Sequence, residues 1–283
     1  MISHSKNDIV ELRKSQSTTV FNKKDTLQSI TVNPTELCNR TCSFCPRSNP
    51  TVYPNRNLHI DEKTVINLAN SIKQYGFKNR LGWSGNGEPL LTKDFLKFVK
   101  IVSDLNPELK IHEINTNGDK LSEEMIESIY SAGINHIIVS VYDGIEMFSE
   151  YERLFSKYPT HAFTLRNTFS GNLTGFTNRS GLVKVNTFDI SRYSGNRCYL
   201  PFYKLFVDWN GDILICCEDW SRISKSRLNI NSQSLNDIWF SEEMMGYRDK
   251  LRLGKRKDLE LCKSCNIHGE KVGEDLVGFF YEK

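Results

Sequence analysis

Residues 36–46, "ELCNRTCSFCP", place Cys38, Cys42 and Cys45 in a C-x3-C-x2-C run. Three thiols this close cannot all pair with one another as disulfides. They can jointly hold a soft metal, which thiolates favour. A zinc site usually has four ligands, often two C-x2-C pairs. Here the local count stops at three, with no His beside them. Three thiolates on a [4Fe–4S] cube leave one iron open, and an open iron binds a substrate or cofactor directly. A structural zinc, or thiols together by chance, is the competing reading.

The surroundings of this run set the fold. "LQSITVNP", residues 27–34, reads as a strand, so the thiols follow a strand end. "DEKTVINLANSIKQYG" then reads as a helix, with Asp61 as N-cap, Gly76 as stop and Val65, Leu68, Ala69 and Ile72 on one face. Further out, strands are expected at "RLGWSG", "KIHEINTNG", "HIIVSVY" and "AFTLRNTF", with a short one at "LVKVNTF". Helices are expected at "TKDFLKFVKIVSDLNP" with Thr92 as cap, "SEEMIESIYSAG" with Ser122 as cap and Gly133 as stop, and "EMFSEYERLFSKY". Strand–helix alternation means parallel βαβ units. Five or six units are too few for a complete barrel of about 250 residues. The expected class is therefore α/β, a partial (β/α)6 TIM-like barrel over residues 27–185 behind a polar arm, 1–26. Active sites in such sheets lie at the C-terminal strand ends, where these thiols fall.

After residue 185 the pattern changes. "YKLFVDWNGDILICCEDW" reads as a hairpin turned by Asn210-Gly211 as a type I′ turn. "SLNDIWFSEEMMGYRDKLRLG" reads as a helix opened by a Ser234/Asp237 capping box, and "LCKSC" follows. Residues 186–283 are expected to form a smaller α+β domain.

With 283 residues, 39% hydrophobic and 25% charged, the composition is that of an ordinary globular protein. A net charge of +3 argues against a dedicated nucleic-acid binder. No apolar run suits a membrane span, and the polar N-terminus lacks a secretory h-region. A cytoplasmic location is expected. In that reducing setting eight cysteines are ligands or free thiols rather than disulfides.

C-x3-C-x2-C after a first barrel strand, with Phe44 just before the third cysteine, resembles the radical S-adenosylmethionine (SAM) enzymes. In that family the open iron chelates SAM, and one-electron reduction releases a 5′-deoxyadenosyl radical. "SGNGEP" after the second strand, Ser84, Gly85, Asn86, Gly87, Glu88 and Pro89, resembles the family's G-G-E-P motif for the SAM amino group, with Asn86 in place of the first Gly. The resemblance also implies SAM contacts for Asn115 and Asn117 in "INTNG", Ser140 in "VSVYDG" and Arg166 in "TLRNTF". A turn, a core hydroxyl and a surface ion pair are their plainer roles.

Cys198, then Gly211, then Cys216 after four intervening residues, resembles the opening of a SPASM or twitch domain, the auxiliary-cluster extension of this family. Cys262 and Cys265 complete four ligands, enough for one closed [4Fe–4S] cluster. A four-cysteine zinc knuckle shares this spacing. Cys217 is left over. Strand alternation turns it away from the cluster as a small buried residue; the sharper reading makes it a hydrogen-atom donor.

The resemblance extends over about residues 25 to 270 to twitch-containing radical SAM dehydrogenases. It implies SAM and two [4Fe–4S] clusters as cofactors, an external electron donor such as flavodoxin or ferredoxin, and oxidation of a carbohydrate-like or aminocyclitol alcohol to a ketone. Tyr142, Asp143, Arg179, Tyr199 and Trp209 are candidate pocket residues. A radical epimerase of sugars, a peptide-modifying enzyme and a non-catalytic metal scaffold are the alternatives. Only 26 residues precede the first strand, too few for a peptide-recognition domain, and a scaffold has no use for a SAM motif.

Overall fold

The computed structural model describes residues 23–169, 177–184, 193–224 and 226–281. Five strands, β1 (Ser29–Val32), β2 (Arg80–Trp83), β3 (Ile111–Thr116), β4 (His136–Val141) and β5 (Ala162–Asn167), alternate with α1 (Glu62–Tyr75), α2 (Phe95–Leu105), α3 (Glu123–Ser131) and α4 (Ile145–Phe155). Each neighbouring pair of these strands is parallel. β6 (Lys204–Val207) adds to the other edge of β1, also parallel, and β7 (Ile213–Leu214) returns antiparallel to it. The order is β5-β4-β3-β2-β1-β6-β7. This is the open α/β core the alternation implied, with the C-terminal hairpin extending the same sheet.

The period-2 alternation of strand side chains divides the sheet chemically. Ile30, Val32, Leu81, Trp83, Ile114, Ile137, Val139 and Leu165 pack with Val65, Leu68, Ala69 and Ile72 of α1 in one apolar core. Their neighbours on the opposite face are Asn33, Ser84, Glu113, Asn115, His136, Ser140 and Arg166. A parallel sheet buried on both faces reads as continuously apolar. Here one face is polar, so it serves as a lining. Deep on that face Arg80 and His136 flank the Glu113 carboxylate. Burial alone would raise that carboxyl; the two neighbours hold it well below the usual carboxylate range.

Helix ends follow the local signals where side chains set them. Asp61 accepts from the Thr64 amide at 2.7 Å and Ser122 from Met125 at 3.1 Å. Gly76 and Gly133 take the positive φ that ends each helix. Three local expectations differ. α2 begins at Phe95 behind Asp94, not at a Thr92 cap, because the turn Pro89–Leu91 carries the chain past Thr92 and leaves its hydroxyl unpartnered. The helix expected from Ser234 is two, α5 (Leu235–Trp239) and α6 (Glu242–Arg252), because Ser241 caps a fresh start through the Met244 amide. In the hairpin only Gly211 has positive φ, so the turn is not type I′. The Gly211 amide donates to Asp208 and the Asp208 amide to Asp212, which makes a longer loop. Leu182, Val183 and Lys184 hold no strand, and the rest of "LVKVNTF" and most of the N-terminal arm lie outside the described residues. Among the described residues no helix is long and apolar enough to cross a membrane.

One buried group links this core to pH. The Trp83 indole N–H donates to His112 Nε2 at 2.8 Å, and Ser103 Oγ meets Nδ1 at 3.1 Å. Protonating Nε2 would set two donors against each other. Burial pushes the imidazole down to about 4. The unfolded chain therefore takes up a proton near the usual value while the folded chain does not, so stability is lost as the pH is lowered. Between pH 7 and 5 the expected loss is about 2 kcal/mol. Urea unfolding across that range checks it: His112→Gln should lose this slope, even if it is less stable at every pH.

Candidate active site

The first thiol loop leaves β1 and is pinned at three points. The Cys38 amide donates to Asn55 Oδ1 at 3.0 Å, and Asn55 Nδ2 returns a bond to the Cys38 carbonyl. Arg40, between two of the cysteines, donates through Nε to Asp119 at 2.7 Å and through Nη1 to Asp143 at 3.0 Å. Its guanidinium lies 5.1 Å from the Tyr142 ring centre, and Phe44 stacks on the same ring at 5.8 Å. The thiols are thereby held over the C-terminal ends of β3 and β4.

The "SGNGEP" loop lies against the same strand ends, and glycine is required there. A Cβ on Gly85 would come within 2.2 Å of Asn33 Oδ1, and one on Gly87 within 2.3 Å of the Thr35 carbonyl. Glu88 accepts from Thr116 Oγ1 and the Asn117 amide, both at 2.7 Å, and its amide donates to the Leu37 carbonyl at 2.8 Å. It therefore ties the motif to the end of β3 and to the thiol loop. Burial raises its carboxyl. Pro89 opens the turn that follows. Asn86 uses its side chain, which a glycine there could not: Nδ2 donates to the Tyr53 hydroxyl at 3.1 Å.

On the lining face, Asn115 Nδ2 donates to Ser84 Oγ at 3.3 Å, Ser140 Oγ reaches Asn115 Oδ1 at 3.5 Å, and Arg166 is in register with Ser140. Ser84, Asn115, Ser140 and Arg166 thus form one polar row across β2 to β5. Asn117 stands apart from it: its amide nitrogen donates to Asn39 Oδ1 at 2.9 Å, so it braces the thiol loop.

Cys38, Cys42 and Cys45 are all partly exposed. Burial and the charges of Cys45 and Cys38 push the Cys42 thiol up to about 11. The second group is alike: burial, Cys198 and Cys265 push Cys262 up to about 12, the Cys217 thiol and burial raise Cys216, and burial raises Cys265, with Cys198 adding to both. Among the described residues no three His, Cys, Asp or Glu side chains close round a single metal ion. The two sets are instead sulfur donors within electrostatic reach of one another that repel as thiolates, the chemistry an iron–sulfur cube relieves. The residues fit that group.

The second set is also built in. Arg256 donates to the carbonyls of Tyr193, Ile267 and Cys265, a buried cation behind the thiols. Asn178 and Asn266 exchange bonds between amide N–H and side-chain oxygen, and Asn178 Nδ2 donates to the Ser264 carbonyl at 2.6 Å. This docks residues 177–184 on the C-x2-C knuckle. The expected burial of Cys217 is not seen. β7 ends at Leu214, so strand alternation no longer governs, and Cys217 is exposed with Sγ 3.8 Å from Glu218 Oε1.

Arg179 lies within electrostatic reach of Cys45 in the first loop and of the leftover Cys217. Its Nη1 donates to Glu218 at 3.0 Å and its guanidinium lies 5.7 Å from the Trp220 ring centre. Burial opposes its charge, but Glu218, Cys217 and Cys45 hold it on. It is a quarter exposed, and its Nε is buried and unpartnered. Two other pocket candidates fall elsewhere. Tyr199 is buried and donates to Glu274 at 3.1 Å, and Trp209 packs on the apolar core. Sequence reasoning missed Glu218, Arg40, Asp119 and Tyr53; Glu218, one place beyond a cysteine pair, and Arg40, between Cys38 and Cys42, carried a local signal.

These features agree with known proteins. A radical SAM superfamily model matches residues 32–166, and a SPASM iron–sulfur cluster-binding domain model matches residues 198–266. The S-adenosyl-L-methionine-dependent 2-deoxy-scyllo-inosamine dehydrogenase of Niallia circulans is 28% identical over 240 residues, 84% of this chain and 92% of that protein. GTP 3′,8-cyclase of Campylobacter curvus is 31% identical over 111 residues, 39% of this chain and 33% of that protein. The crystal structure of BtrN in complex with AdoMet and 2-DOIA matches with a TM-score of 0.74 at 26% identity, covering 87% of this chain and 96% of that one. Residues 32–166 are thus a radical SAM domain and residues 198–266 a SPASM iron–sulfur cluster-binding domain.

Proposed function

We propose that this enzyme oxidises an alcohol carbon of a carbohydrate or aminocyclitol to a ketone. The carrying observation is the Arg179–Glu218 pair beside the Cys217 thiol, with Cys45 of the first loop within electrostatic reach. The likeness over most of its length to an aminocyclitol dehydrogenase supports the same reading. When bound, a reduced cluster with SAM would supply hydrogen-atom abstraction and a second cluster would supply an electron acceptor for oxidation of the alcohol carbon. Cys38, Cys42 and Cys45 hold the first group, and Cys198, Cys216, Cys262 and Cys265 the second. The Ser84–Asn115–Ser140–Arg166 row and the "SGNGEP" loop receive SAM. Arg179 and Glu218 orient the substrate hydroxyls.

The two working units are taken as 27–185 and 186–283, with flavodoxin or ferredoxin as electron donor. Epimerisation is a second reading, favoured by the exposed thiol of Cys217 beside Glu218. The anaerobically reconstituted enzyme, SAM, dithionite and a panel of aminocyclitols separate the two. Dehydrogenation gives one ketone per 5′-deoxyadenosine and survives Cys217→Ala. Epimerisation gives an inverted carbon carrying solvent deuterium and stops with that variant. SAM turnover only with a peptide would overturn both.

A further inference from the structure

A closed ring of hydrogen bonds runs between the two halves of the site. The Asn86 amide donates to Asn33 Oδ1 at 2.8 Å, and Asn33 Nδ2 to Asp208 Oδ1 at 2.7 Å. Arg222 donates to both Asp208 oxygens, at 2.5 and 3.2 Å, and through Nη1 to the Tyr53 hydroxyl at 3.1 Å. Asn86 Nδ2 closes the ring on that hydroxyl at 3.1 Å. Tyr53 then donates to Glu36 at 3.2 Å, and Glu36 also pairs with Arg222. The one proton and both lone pairs of the Tyr53 hydroxyl are therefore engaged.

Each member speaks for a different part of the machine. Asn86 belongs to the "SGNGEP" loop and Glu36 opens the first thiol loop. Asn33 and Asp208 stand at the ends of β1 and β6. Arg222 lies six residues beyond Cys216, in the segment that presents Cys217 and Glu218. Arg222 sits at φ +53, a conformation ordinary side chains avoid, so something must hold it there. Glu36 and Asp208 are fully buried carboxylates with Arg222 as shared counter-ion. Such groups tolerate little displacement, because a lost partner leaves a buried charge alone. Trp220 packs edge-on against Tyr53 at 5.0 Å, adding an apolar contact to the same joint.

We propose that Tyr53 and Arg222 are positioning residues that couple the SAM loop to the auxiliary domain, so that SAM at 84–89 orders the segment 217–224. The inference rests on the reading that SAM occupies the 84–89 loop. It gives Asn86 a purpose: where the related motif carries glycine, this chain carries the amide that closes the ring. Coupling of this kind is reciprocal, so ordering of 217–224 by substrate also tightens SAM.

Hydrogen exchange on the anaerobically reconstituted holoenzyme, with and without SAM, tests it. In the native chain SAM should slow exchange at 84–89 and, by at least about fivefold, at 217–224. Tyr53→Phe keeps the ring against Trp220 but removes the shared hydroxyl. It should retain the effect at 84–89 and lose it at 217–224, and Asn86→Gly should do the same at 217–224. A SAM effect at 217–224 that persists in both variants overturns the coupling. So does an effect confined to 84–89 in the native chain. No effect at 84–89 in the native chain removes SAM from that loop, and the proposed function falls with it.

Discussion

Alanine at Cys42 is expected to abolish 5′-deoxyadenosine formation and to lower the iron content by roughly half. Alanine at Cys216 is expected to lower iron by a similar amount, leave SAM cleavage measurable and stop formation of the oxidised product. The two sets of thiols are separately built, which is why their losses should separate. Cys42 belongs to a loop fixed by Asn55, Arg40 and Arg47 against the ends of the sheet strands. Cys216 belongs to the group that shares Cys198, Cys262 and Cys265, backed by Arg256. Removing the outer partners of a metal ligand typically costs 10- to 100-fold, so removing a ligand should cost more than about 100-fold. Iron and sulfide assays with product chromatography read both variants. SAM cleavage that survives in Cys42→Ala would remove the first thiol loop as the radical source.

Short-range chemistry made part of this molecule readable. The strand–helix alternation stood out because each element carries its own period, and Asp61, Gly76, Ser122 and Gly133 act on the chain within four residues of themselves. The thiol sets stood out for the same reason. What failed to show depended on competition or distance. Ser241 is as good a cap as Ser234, so one apolar pattern became two helices. Thr92 is a sound cap by type, but the preceding turn displaced it. The ring around Tyr53 gives no sequence signal, because its members are ordinary polar residues. Asn33 reaches Asp208 across 175 positions, and Tyr53 reaches Arg222 across 169. Only the pairing of β6 onto β1 brings them together. Asn86 looked like a small departure from a motif, and its amide has a partner only once Tyr53 is placed.

Arg179→Met is expected to reduce substrate oxidation by about 100- to 1,000-fold while SAM cleavage continues uncoupled. The position is an unusual place for a long cation. Arg179 and Ser180 both adopt positive φ, at 48° and 54°. Such strain persists only where surrounding structure over-determines it, and here Asn178 locks the segment to Asn266 and Ser264. The outcome is a guanidinium held on Glu218 and Trp220 with its Nε buried and unpartnered. A planar fork of donors there suits the vicinal oxygens of a polyol, which a lysine ammonium meets less well. Arg179→Lys should therefore recover only part of the rate and shift KM upward. Glu218 is 3% exposed and would keep only Thr177 and the Cys217 thiol as side-chain partners, so Arg179→Met/Glu218→Gln serves as the control for an orphaned charge. If the single variant oxidises substrate at the native rate, the substrate binds away from Arg179. If the double variant recovers native activity, the loss came from Glu218 rather than from a missing contact to substrate. The ratio of ketone to 5′-deoxyadenosine decides between these outcomes, since misplacing the substrate lowers that ratio and a general loss of folding lowers both products together.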